Sequence, residues 1–427
     1  MTTGGLRTVT QIAGPALPVI SFAARLPAAI CPIATLLMLA ELNSIGAAGI
    51  AAGMLWTGQA VSGPLLGRYA DRRGHRPVVL AASLANAAAI ALFIVSALSD
   101  MPLVVQAALA GLVGLTVPQI GPLSRSRWVV LTEPGEPTAA RELTHRALSF
   151  DTAIDEISFM AGPALAGMMV VLVHPAAGLV LAGLFIAVFG TLFALHPTAP
   201  RGTPARASSR TRLLNPALMA LLAMALLQGM IWGSANAGTS ALSAHLGDTG
   251  MAGFVWGAMA VTSSLTGLAI AARPVSLDLT LQLRIAIAAQ AVLLLPLLLV
   301  DNFAGATAAI AGIGLAVAPH LIAVFSLAEH VAPMERMGEA MALLGSGLII
   351  GQGIAASAAG QLAQHSGYHS AFLLTCASGA VAVLVALAWV RPGHISPYRA
   401  AHMPSIEAAE SAEAAESAEA AAKEPLS

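Results

Sequence analysis

Apolar residues in this chain gather into long unbroken runs. Twelve stand out, at about 15–40, 47–67, 77–98, 103–125, 149–173, 177–196, 214–242, 250–272, 283–300, 303–327, 338–363 and 369–390. A bilayer core about 30 Å thick is crossed by roughly 20 apolar helical residues, so each run predicts a transmembrane α-helix. The first is far longer than the core of a cleavable signal sequence and is followed by eleven more. It reads as a retained helix.

The connections between runs fall into two kinds. Six are short: "AELNSIGA", "LSDMP", "VHPAAG", "AHLGDTGM", "DNF" and "AQHSGYHS". None of the 20 Lys and Arg lies in them; nineteen lie in the remaining loops, helix ends and tails, and Arg25 lies inside the first run. Basic residues stay on the cytoplasmic side, so both termini are expected in the cytoplasm of a cell with this protein in its plasma (inner) membrane. Residues 126–148 and 197–213 are expected as the longer cytoplasmic loops. The second, rich in Pro, Ser and Arg, suits a linker between two six-helix halves, residues 1–196 and 214–392. The tail at 393–427 ends in an acidic Ala/Glu repeat with no apolar face, which predicts disorder.

Composition excludes the soluble alternatives. The chain is 57% hydrophobic and 10% charged, with mean hydropathy +0.80, whereas soluble domains carry about 25% charged residues. A net charge of −1 offers no field for nucleic acid. Cys31 and Cys376 both sit in apolar runs and predict neither a disulfide framework nor a metal site. No zinc motif, nucleotide-binding glycine loop or nucleophile elbow is present, so neither enzyme chemistry nor a cofactor is expected. The partners expected are the lipid bilayer and a small-molecule substrate, with protons as the coupling ion and the protein as a monomer.

Polar residues inside the runs are the candidates for function, because each is costly in hydrocarbon. Arg25 lies about ten residues into the first run. It serves either an anionic substrate group or a structural ion pair. The acids at matching depth are Asp155 and Glu156 in the fifth run; Asp151 shares the Asp155 face but reads as an interfacial residue in water. In the seventh run Gln228, Trp232, Asn236 and Ser240 recur every four residues and predict an inward-facing stripe. Thr116, Gln119 and His320 are further polar positions within runs, and Arg125 and Arg127 are expected to cap the cytoplasmic end of the fourth.

Between the second and third runs the chain reads "GRYADRRGHRP". Gly67, Asp71, Arg72, Gly74 and Arg76 match the loop signature of the major facilitator superfamily, which the chain resembles over about residues 15–392. Tyr69 stands where an aliphatic residue is usual and His75 where the first base is usual. "GPALAG", with Gly162, Pro163 and Gly167, resembles the Gly-Pro motif of the antiporter branch, and equally an ordinary small-residue packing face. "GSGLIIGQGIAASAAG" is its expected counterpart in the eleventh run. "ARLP" in the first run and "DE…GP" in the fifth give the chain an actinobacterial look. Ala107 occupies a place where proton-coupled drug exporters often carry Arg, so the resemblance does not extend to that residue.

The resemblance implies an all-α membrane protein of twelve helices in two pseudo-symmetric six-helix bundles, with spans one, four, seven and ten lining a central cavity. It implies secondary transport by alternating access, gated by a latch between Asp71 and Arg125 or Arg127. Export of a drug-like molecule or metabolite coupled to protons leads. Uptake of a sugar, amino acid or organic acid, and a non-transporting membrane sensor, are the alternatives.

Overall fold

A computed structural model describes residues 14–132, 137–199, 214–272, 278–332 and 336–389. Twelve helical spans follow one another: α1 Ala16–Leu42, α2 Ile45–Arg73, α3 His75–Leu98, α4 Leu103–Thr116 continued by Ile120–Thr132, α5 Pro137–Leu172 and α6 Ala177–Phe185 continued to Leu195. The second half comprises α7 Pro216–His245, α8 Met251–Ala272, α9 Leu279–Leu294, α10 Phe303–Val331, α11 Met337–Ser366 and α12 Tyr368–Trp389. Ten spans are long and apolar enough to cross a membrane by composition alone; α2 and α5 carry more polar residues.

Local chemistry sets the ends. Ser44, Asn215 and Asn302 accept hydrogen bonds from Ala47, Leu218 and Gly305 backbone N–H groups, capping α2, α7 and α10. Gly74, at φ +89°, ends α2 and begins α3, the sharp reversal expected of the loop signature. Gly67 departs from expectation: a Cβ there would meet nothing within 4 Å, so no close helix approach depends on it.

Two differences from the sequence reading shape the site. The expected loop at 126–148 is largely helical, since α4 runs to Thr132 and α5 starts at Pro137. And α4 is broken at residues 117–119, because Pro118 lacks an N–H for the ladder and holds Val117 extended. The freed carbonyls find side chains: Asn86 Nδ2 donates to Val113 O at 2.7 Å, and Ser62 Oγ to Val117 O at 3.5 Å.

One apolar core lies within the second half, that of the first half reaches across to Ala252 and Ala356, and the halves meet along glycine seams. A Cβ on Gly49 would lie 2.6 Å from Ala356 O, so α2 and α11 touch backbone to backbone. Gly253 meets Pro163 O at 2.3 Å in the same sense, joining α8 to α5. The hydrogen bonds between halves are Gln361 Nε2 to Gly46 O (3.0 Å), Gly46 N to Gln364 Oε1 (3.3 Å), Ser357 Oγ to Gly49 O (3.3 Å) and Thr249 Oγ1 to Glu41 Oε2 (2.6 Å). All four lie toward the short connections. Each of these contacts pairs residues near the helix ends that the short connections join.

Candidate functional site

The buried charge of α1 is met by α5. Arg25 Nη2 donates to both oxygens of Asp151, at 2.8 and 2.7 Å. Asp151 also accepts Ser124 Oγ at 2.6 Å and Trp128 Nε1 at 3.1 Å, both from the second segment of α4. Its side chain is 0% exposed. Four hydrogen bonds from protein groups, three to Oδ1 and one to Oδ2, together with full burial make Asp151 a structural anchor. It is therefore not the water-exposed interfacial residue expected from sequence. The reason is the early start of α5, which places Asp151 fourteen residues into the helix.

Asp155, one turn further, shares the same face but not the same seclusion. Its side chain is 20% exposed and lies between two guanidiniums, with Arg125 Nη2 at 2.7 Å and Arg25 Nε at 3.2 Å. The second contact is an ion pair without hydrogen-bond geometry, since Arg25 Nε and Nη1 have no hydrogen-bond acceptor. Arg125 reaches Asp151 as well, at 3.9 Å, and is itself 44% exposed. Two arginines and two aspartates thus balance, and exposure rises from Asp151 through Asp155 to Arg125. The pairing has local causes. The α4 break turns Gly121 toward α5, where a Cβ would stand 3.1 Å from Asp155 Oδ1, leaving room for the carboxylate.

Arg125 and Arg127 do not cap the end of α4, because the helix continues past them. Arg127 is fully buried, stacked 3.8 Å over the Phe193 ring and donating to Phe193 O at 3.1 Å. Just beyond α6, burial and then the Arg127 charge hold the His196 imidazole below its usual range. The Glu156 and Asp71 side chains lie outside the described residues, as do the linker from 200 and the acidic tail; Arg72 and Arg76 are exposed.

In the second half Gln228 and His320 meet across α7 and α10, Gln228 Oε1 to His320 Nδ1 at 2.7 Å, both without solvent exposure. Gln228 Nε2, His320 Nε2 and the Trp232 and Ser240 polar atoms have no hydrogen-bond partner. Asn236 is also buried. Near the α4 joint Gln119 Nε2 donates to Ser62 Oγ at 2.9 Å, and Asn86 Nδ2 to Thr116 Oγ1 at 3.0 Å. Gly162 packs on Ala29 and Gly167 on Gly250, at 2.5 and 2.4 Å from a hypothetical Cβ, so the Gly-Pro motif holds α5 against α1 and α8. Sequence reasoning missed the roles of Ser124 and Trp128; their signal was i, i+4 spacing on a helix whose length was underestimated.

The family model of the Major Facilitator Superfamily matches residues 19–343. A bacterial homologue of the iron transporter ferroportin, in an inward-facing state, shares 20% identity over 91% of this chain and 99% of that one, with TM-score 0.64. The nucleoside transporter NupG shares 14% over 88% and 100%, with TM-score 0.67. The human organic anion transporter MFSD10 shares 16% over 90% and 99%, with TM-score 0.56. A search of curated protein sequences finds no match. Twelve helical spans in two halves, the loop signature at Gly67–Arg76 and a family match over most of the length lead to one conclusion: this chain belongs to the major facilitator superfamily.

Proposed function

We propose that the protein is a secondary active transporter that works by alternating access and exports a small organic molecule in exchange for protons. The observation that carries this reading is the unequal exposure of the two aspartates around Arg25. Asp151 is sealed and accepts four hydrogen bonds from protein groups, so it fixes Arg25 in place. Asp155 is partly exposed, and among the described residues its partners are the Arg25 and Arg125 guanidiniums. A proton arriving on Asp155 removes the charge that holds Arg125 and loosens Arg25, leaving Arg25 Nη1 and Nε as donors for a substrate or water. Charge in the cluster and proton occupancy are thereby linked. The same linkage applied at a seam between two rigid halves is what coupled transport requires.

Residues 1–196 and 214–392 act as the two rocking halves, with 197–213 as the linker. With both termini in the cytoplasm, the glycine seams lie toward the outer face and form the external gate. Asp71 with the base of α4 is the proposed cytoplasmic latch. Gln228, Trp232, Asn236 and His320, packed inside the bundle here, are the proposed second-half wall of the transport path and offer hydrogen bonds without charge. A cavity with one balanced charge cluster and a neutral polar wall suits amphiphilic, drug-like cargo.

The test is substrate-dependent proton movement in liposomes containing the purified protein and an internal pH dye. A panel of amphiphilic organic compounds supplies the substrate. For at least one compound, wild type moves protons and Asp155→Asn does not. Solute movement that ignores the pH gradient, or a normal proton signal in Asp155→Asn, overturns the coupling.

A further inference from the structure

A groove of about 370 Å³ runs along the flank of the first half between α2, α3 and α4. It starts at Tyr69 and Arg73, at the end of α2 away from the short connections, passes over Ala81 and Ala85, and stops against Leu115 and Thr116 near the α4 joint. The helices that α3 packs against, α1, α2, α4 and α6, all belong to its own half. Ala81, Leu84 and Ala85 are exposed, so this flank faces the hydrocarbon rather than the other half. The walls are apolar except at their two ends, and small residues on α3 make the depression.

The mouth is charged. Arg73 lies 5.8 Å over the Tyr69 ring and has no ion pair or hydrogen bond among the described residues. Arg72 and Arg76 are exposed on either side, and the neighbouring Asp71 side chain lies outside the described residues. Tyr69 is the aromatic that replaces the aliphatic residue usual in the loop signature. Tyrosine favours the headgroup level of a bilayer, and an interfacial arginine pairs with phosphate.

We infer that this groove is a binding site for an anionic phospholipid of the cytoplasmic leaflet. The lipid phosphate pairs with Arg73 beside Tyr69, and one acyl chain lies over Ala81 and Ala85 with its end at Leu115 and Thr116. The net negative charge of the headgroup decides the preference, because a zwitterionic lipid brings its own ammonium to compete with Arg73. At its inner end the chain touches Thr116, which accepts the Asn86 hydrogen bond at 3.0 Å. An occupied groove therefore buttresses the broken segment of α4 that carries Arg125. The choice of leaflet rests on the proposed orientation; the binding itself does not.

The experiment is a melting-temperature series on the purified full-length protein in detergent, which has no sidedness. Phosphatidylglycerol, phosphatidylcholine with the same chains, and glycerol 3-phosphate are added separately. Phosphatidylglycerol should raise the melting temperature by about 2–4 °C more than phosphatidylcholine, with no effect of glycerol 3-phosphate. That preference should vanish in Arg73→Ala, persist in Arg73→Lys, and weaken in Ala81→Leu, which fills the groove while keeping every charge. Equal shifts from the two lipids, or a preference unchanged in both Arg73→Ala and Ala81→Leu, overturn the inference. A shift by glycerol 3-phosphate as large as that by the lipid also overturns it, since the groove would then contribute nothing. A wrong orientation would appear only in topology reporters and leave these results unchanged.

Discussion

Arg25 and Asp151, 126 positions apart in the chain, form a sealed ion pair in which one guanidinium nitrogen reaches both carboxylate oxygens within 2.8 Å. Neither side chain is more than 2% exposed. Removing one member of such a pair strands the other charge, at a cost of about 3–5 kcal/mol. Arg25→Ala should therefore lower the melting temperature of the purified protein more than Arg25→Ala combined with Asp151→Ala. A double variant less stable than the single one would show that the pair is not what holds Arg25.

Trp128 serves Asp151 through one N–H at 3.1 Å. Trp128→Phe keeps most of the ring volume and deletes that donor, leaving a buried carboxylate one bond short. The expected loss is about 1–3 kcal/mol of stability, read by chemical or thermal unfolding. No loss would mean that water reaches Asp151 after all.

The glycine seam makes a directional prediction. A methyl on Gly49 would stand 2.6 Å from Ala356 O and 2.9 Å from the Gly360 Cα, both backbone atoms that cannot swing aside. Gly49→Ala should wedge α2 from α11 and raise the labelling rate of a cysteine placed at Ser357. Gly345→Ala is the control, because a Cβ there meets nothing within 4 Å. Equal labelling in the two variants would place the gate elsewhere.

Orientation is open to a simple check. Reporter fusions at Gly202 and Asp301 should report opposite sides of the membrane, with Gly202 in the cytoplasm. Both on one side would contradict the twelve-span reading; reversed sides would contradict the positive-inside assignment.

Much of the architecture was legible because hydrocarbon imposes a length on every helix. The α7 stretch read at 214–242 is Pro216–His245, and the α8 stretch read at 250–272 is Met251–Ala272. Helix outside the hydrocarbon leaves no such mark on the sequence. Residues 137–148 are polar, so their helix leaves no apolar run, and the apolar pattern alone puts Asp151 at an edge it does not occupy. The same blind spot hid the extension of α4 to Thr132 and with it the burial of Arg127. Pro118 did announce the break in α4, but only the Asn86 and Ser62 side chains, distant in sequence, show how the break is satisfied. Matching depth points from Arg25 to α5 and to Asp155, which it meets at 3.2 Å, but the closer partner, Asp151, depends on a helix start that leaves no apolar signal.

The central claim is that protonation of Asp155 biases which side of the two-half bundle is open. The most direct measurement is the distance between spin labels at Leu65 on α2 and Leu268 on α8, both exposed near the ends away from the short connections. In lipid nanodiscs, wild type should show two distance populations whose ratio changes with pH. Asp155→Asn, which is permanently uncharged, should hold one ratio at every pH. A single distribution that ignores pH in wild type, or the same pH response in Asp155→Asn, would contradict the account.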